Sequence, residues 1–149
     1  MLESQESRNL YDQDYYLWLE STAKLLQLQK FHEVELFNLV EEITDMGKNE
    51  KRAITSNLRI LLMHLLKYQY QPWLFTIVEH RQRIKESLAM SPSLRSYYRQ
   101  VFAQSYQDAR ELAAAETGLS VSSFPENPPF TPEDALNSNY LPSGVEFSR

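Results

Sequence analysis

Apolar residues recur at steps of three and four through most of this chain. The clearest run lies between Glu35 and Pro72, where Leu36, Val40, Ile43, Gly47, Ile54, Leu58, Leu61, Leu65 and Tyr68 keep that spacing with Glu50 among them. The pattern predicts one long amphipathic helix, starting near Glu33 and ending before Pro72, because the residue preceding a proline avoids the helical region. Gly47 lies on the same stripe. It either admits close approach of another helix or breaks the run in two; continuity, with at most a kink, is expected.

Three further helices follow from the same period. The first covers about 13–29, with Asp12 as its N-cap and Tyr15, Trp18, Leu19, Leu25 and Leu26 on its apolar face. The third covers about 73–90, with Leu74, Ile77, Val78, Ile84 and Leu88 inside. The fourth covers about 94–117, with Leu94, Tyr98, Val101, Phe102, Ala109, Leu112 and Ala113 inward and Gly118 as its stop. Beyond Gly118 the segment SVSSFPENPPF has no helical period. Thr131-Pro132-Glu133-Asp134 then reads as a cap, an N1 proline and an acidic first turn, opening a short helix to about residue 137. Phe124, Phe130, Tyr140 and Leu141 are available to pin this tail onto the helices. The expected fold is all-α: an up-down bundle of about four long helices with a proline-rich C-terminal segment and one short terminal helix. It forms one domain over 11–142, between a flexible lead-in, 1–10, and a flexible tail, 143–149.

Composition narrows the function classes. At 149 residues and 42% hydrophobic content, the chain can build a real core. It has no cysteine, so disulfides, thiolate chemistry and zinc–cysteine sites are excluded, which suits a cytoplasmic location. The acidic, polar start MLESQESRNLYDQD is not a signal peptide, and the longest apolar run is too short to cross a membrane. The net charge of −5 conceals an asymmetry: residues 1–46 carry −7, residues 47–112 carry +6 and residues 113–149 carry −4. The basic middle can balance the acidic ends within one molecule or across a dimer.

Four polar residues, Glu50, Asn57, His64 and Gln71, recur at sevens along the edge of the long stripe. Such a row either binds a ligand, metal or proton, or satisfies itself and fixes helix register. For a metal, Glu42, Asp45, Glu50 and His64 are the candidate ligands. No Glu-x-x-His pair supports a di-iron centre, since Gln29, Leu61 and Ile77 stand three residues before the three histidines. There is no phosphate-binding glycine loop and no nucleophile elbow. The sequence assigns no catalytic residue and no cofactor. Among the aromatic residues, Tyr15, Tyr16, Trp18, Tyr97 and Tyr98 are candidates for an interface, joining the tyrosine-rich first helix to the basic third and fourth.

Several segments together resemble a known family. They are Tyr11-Asp12-x-Asp14-Tyr15-Tyr16-x-Trp18-Leu19, Asn38-Leu39-x-Glu41-Glu42-Ile43-x-Asp45-Met46-Gly47, and the run from Leu62 to Pro72 containing His64. Ser91-Pro92-Ser93-Leu94, Asp108-Ala109-Arg110, Ala115-Glu116-Thr117-Gly118-Leu119 and Phe124-Pro125 continue the likeness, which covers about 11–142. They resemble the bacterial domain-of-unknown-function family numbered 29. The resemblance implies an all-helical bundle, no established activity and no catalytic residues to carry over. The expected function is therefore non-enzymatic protein–protein interaction, as a homo-oligomer or with a protein partner. A small-ligand or metal-binding bundle around His64 is the alternative. Nucleic-acid binding through the basic middle ranks last because the flanks are acidic.

Overall fold

In a computed structural model, which describes residues 10–142, the first long helix opens at Asp14 rather than Asp12. The Asp14 carboxylate accepts from the Leu17 amide at 3.0 Å, satisfying a donor that the helix itself leaves unpaired. A short helical turn over 10–13 precedes it, so Leu10 is helical and does not belong to a loose lead-in. The rest of that lead-in and the 143–149 tail lie outside the described residues. Helix α1 is Tyr15–Gln27. It stops without a glycine: Gln29 takes the left-handed conformation at φ 59°, while the Lys30 amide reaches the Leu25 carbonyl and the Gln29 amide reaches that of Leu26. This is the paired-bond C-terminal cap usually built on glycine.

Helix α2, Leu36–Leu66, runs unbroken for 31 residues. The Asn38 amide donates to the Glu35 carboxylate at its start. Gly47 therefore does not break the run, and a Cβ placed there would meet nothing within 4 Å. With open space and helical backbone, Gly47→Ala should raise stability by about 1 kcal/mol and the thermal midpoint by a few degrees, read by circular dichroism. A lower midpoint would mean that the position is covered. The helix ends at Leu66, before Pro72, and the Lys67 carbonyl accepts from the Tyr70 and Gln71 amides in the turn that follows.

Helix α3 is Leu74–Met90 and helix α4 is Arg95–Thr117, separated by a single 3-10 turn at Pro92–Leu94. Gly118, at φ 74°, closes α4 as expected. The last element, α5, is Pro132–Leu136, opened by a reciprocal capping box between Thr131 and Asp134. No strand occurs among the described residues, and the fold is an all-α helical bundle.

The chain divides into two compact units, Met1–Lys48 and Asn49–Arg149. The second holds a continuous core. Ile54, Leu58, Leu61 and Leu65 of α2 meet Ile77, Ile84 and Leu88 of α3 and Tyr98, Phe102, Tyr106 and Ala109 of α4. The C-terminal segment completes this core. Phe124, Phe130 and Ala135 are buried, and Tyr140 and Leu141 pack against it. Phe130 presents its ring edge-on to Phe102, Tyr106 and Tyr140 at centroid distances of 6.4, 5.9 and 6.2 Å. Leu74, Val78 and Leu112, which the period places inside, are instead exposed, since their stripes are wider than the surface that covers them.

Candidate functional site

The four residues of the polar row do not form one seam. Glu50 is exposed. Asn57 faces α3, where its Oδ1 lies 2.8 Å from Nδ1 of His80 and its Nδ2 donates to the Ala53 carbonyl. His64 is buried, with no partner for Nδ1 and its ring centroid 6.0 Å from that of Trp73. Gln71 lies in the turn after α2, where the Lys67 ammonium donates to it at 2.9 Å. The spacing at sevens aligns the four only on a helix that runs to Pro72; because α2 stops at Leu66, Gln71 leaves the line. Burial pushes the His64 imidazole down to about 4; Lys67 and His80 add to that effect and Glu116 opposes it. His80 is also lowered, chiefly by burial.

Two charged residues matter more than the row did. Lys67 is fully buried, with its Nζ 3.7 Å from a Glu116 carboxylate oxygen and 4.8 Å from the Trp73 ring centroid. With Gln71 it ties the 67–73 turn to the end of α4, using a cation over an aromatic face and an ion pair together. Arg81 is buried on α3 and donates to the carbonyls of Ala135 at 2.7 Å and Tyr140 at 2.9 Å. The sequence did carry a signal for it: Ile77, Arg81, Ile84 and Leu88 are one stripe, with arginine in an apolar place. Lys67 likewise lies inside a stretch buried from Leu61 to Tyr68.

The proposed metal set is not assembled. Glu50 and His64 are fourteen residues apart on the same helix, ~21 Å along its axis. Glu42, in the first unit, is already committed: the hydroxyls of Tyr11 and Tyr15 each donate to one of its carboxylate oxygens. These bonds lower the Glu42 carboxyl and push Tyr11 up to about 12, with Tyr15 raised for the same cause. Asp45 is exposed. Among the described residues no group of three or more histidine or acidic side chains is placed to hold a metal ion.

Of the aromatic interface candidates, Trp18 and Tyr98 are buried and present no surface. Trp18 meets the Tyr11 and Tyr15 rings, and the Tyr98 hydroxyl donates to the Pro132 carbonyl. Tyr16 is exposed, Tyr15 about half so, and Tyr97 lies under the Lys51 ammonium, 5.2 Å from its centroid. An open apolar surface lies outside those candidates. On α2, Leu36, Phe37, Val40, Ile43 and Met46 are all exposed, Val40 at 58% and Ile43 at 60%. The stripe that becomes core from Ile54 onward is uncovered before Gly47. A second open group is Trp73, Leu74, Phe75 and Val78 at the start of α3. Surface of this kind marks binding sites more often than chance exposure does.

Several basic groups of 47–112 are already engaged or covered. Lys67 and Arg81 are buried, Arg83 pairs with Glu79 and Arg99 with Glu133. No described helix is long and apolar enough to cross a membrane. Comparison with curated proteins and with solved structures returned no match. A family model does match, the domain of unknown function DUF29, over residues 10–141. That span takes in α1, the whole of α2, the core of the second unit and its pinned C-terminal segment, and the chain belongs to the DUF29 family.

Proposed function

We propose that this protein works by protein–protein contact rather than catalysis, in the cytoplasm, and that the contact is with a second copy of itself. The observation that carries this is the open stripe Leu36, Val40, Ile43 of α2. A first unit of 48 residues has too little interior of its own for such a face to stay bare at no cost. Charge selects the occupant. The stripe sits in the −7 part of the chain, and the open group Trp73, Leu74, Phe75, Val78 sits in the +6 part. Two copies can thus present opposite charges around apolar surfaces, the acidic 1–46 segment of each to the basic 47–112 segment of the other.

The test is light scattering on the whole chain across concentration and salt. The expected result is a dimer at about 100 μM that loosens as salt rises, because screening weakens opposite-charge contacts. The exposed double substitution Val40→Lys/Ile43→Lys should give a folded monomer. A strict monomer at that concentration in low salt overturns the reading. So does a dimer that survives both lysines, and one that tightens with salt rejects the acidic-to-basic pairing.

A further inference from the structure

We propose that a cleft between α3, α4 and α5 binds a small carboxylate carrying an apolar body. The cleft has a volume of about 340 Å³, the lower end of the range that holds small organic ligands. Its floor is apolar, made by Leu88, Pro132 and Leu136 with the ring of Tyr98. The one hydroxyl in that floor is not available to a ligand as a donor, since Tyr98 already donates to the Pro132 carbonyl at 2.7 Å. Recognition of a polar group therefore falls to the rim.

The rim carries three cations, Lys85, Arg95 and Arg99, against one carboxylate, Glu133. They are committed to different degrees. Lys85 donates to the Ser138 hydroxyl at 2.7 Å, leaving two ammonium protons. Arg99 pairs with Glu133 at 3.2 Å, but both side chains are well exposed, so this pair is weak and exchangeable. Arg95 makes no hydrogen bond or ion pair with the described residues and stands at the first turn of α4 with its planar fork free. A guanidinium binds a carboxylate through two parallel N–H donors, which a neutral amide cannot match. An excess of two positive charges over an apolar floor thus fits an anion with a hydrophobic tail and disfavours a cation or a neutral polar molecule. The pocket exists only because the C-terminal segment folds back: α5 supplies one wall, and Arg81 holds it there through the carbonyls of Ala135 and Tyr140.

The test uses octanoate as probe, with octanamide as the uncharged control, on the full chain followed by amide chemical shifts. The expected result is saturable binding with shifts centred on Leu88, Arg95 and Leu136, and octanamide weaker by about tenfold or more. Arg95→Gln should weaken octanoate by about tenfold without changing thermal stability, because Arg95 has no partner to lose. Ala89→Trp, at an exposed position lining the cleft, should fill it and abolish binding while the fold persists. The proposal is overturned if octanoate shows no saturation, if octanamide binds equally, if Arg95→Gln leaves the affinity unchanged, or if the shifts centre on the open stripe of α2.

Discussion

Arg81→Ala should destabilise the second unit by about 4 kcal/mol and release its C-terminal segment. The side chain is only 2% exposed, and its guanidinium donates to two backbone carbonyls, of Ala135 and Tyr140, 54 and 59 residues further along. Hydrogen bonds from a charged donor contribute about 1.5–3 kcal/mol each, and removal leaves two acceptors without partners. The methylene stem is lost as well from between Ile77 and Ile84. Arg81→Met keeps most of that stem and removes only the donors, so it should cost less, about 3 kcal/mol. Arg81→Lys can reach one carbonyl but not both, and should fall between wild type and Met. Urea unfolding followed by circular dichroism gives the three values. Limited proteolysis locates the effect, with new cleavage expected between Phe124 and Tyr140 in the alanine variant. A loss below about 1 kcal/mol would show that the two carbonyls find water and that the segment is held by its aromatic residues alone.

The reasons for what the sequence did and did not reveal lie in the range of the interactions. Local chemistry was legible. Thr131-Pro132-Glu133-Asp134 reads as a capping box and folds as one, and Gly118 ends α4 where its position says it should. The stop of α1 was obscure because Gln29 takes a left-handed conformation that glycine normally fills. The α2 period was legible too, but a period states which face is apolar and not what covers it. Leu36, Val40 and Ile43 repeat with the same steps as Ile54, Leu58 and Leu61, yet only the second set is buried. Site residues are the least legible. Asn57, His64 and Gln71 share a spacing but answer to different partners: His80, no hydrogen-bond partner at Nδ1, and Lys67. The carbonyl partners of Arg81 and the cleft both depend on where α5 docks on α3; the local patterns mark Arg81 and a pinned tail, but not the contact between them, more than fifty residues apart.

The second large effect is a pH dependence centred on His64. In the unfolded chain its imidazole titrates near 6.5, whereas burial beside Lys67 and His80 pushes it down to about 4 in the folded one. Above pH 6.5 both states hold it neutral, and it contributes no slope. Between 6.5 and 4 the unfolded chain takes up a proton that the folded chain refuses, so stability falls as pH falls through that window. Below about 4 both states are protonated and the slope vanishes. The window spans roughly 2.5 units, equivalent to about 3 kcal/mol. Carboxylates titrate over part of the same range, so the wild-type curve alone does not isolate the effect. The difference between wild type and His64→Leu does, because the groups that do not interact with His64 cancel. At pH 7 the leucine variant should lie within about 1 kcal/mol of wild type, since a similar volume is kept and the orphaned Nδ1 is removed. By pH 4 it should be the more stable of the two by roughly the full window. Paired urea titrations at half-unit steps measure the difference curve. A flat curve from pH 7 to 4 would mean that His64 accepts its proton in the folded state as readily as in water, and that the 64–73 corner opens without resistance.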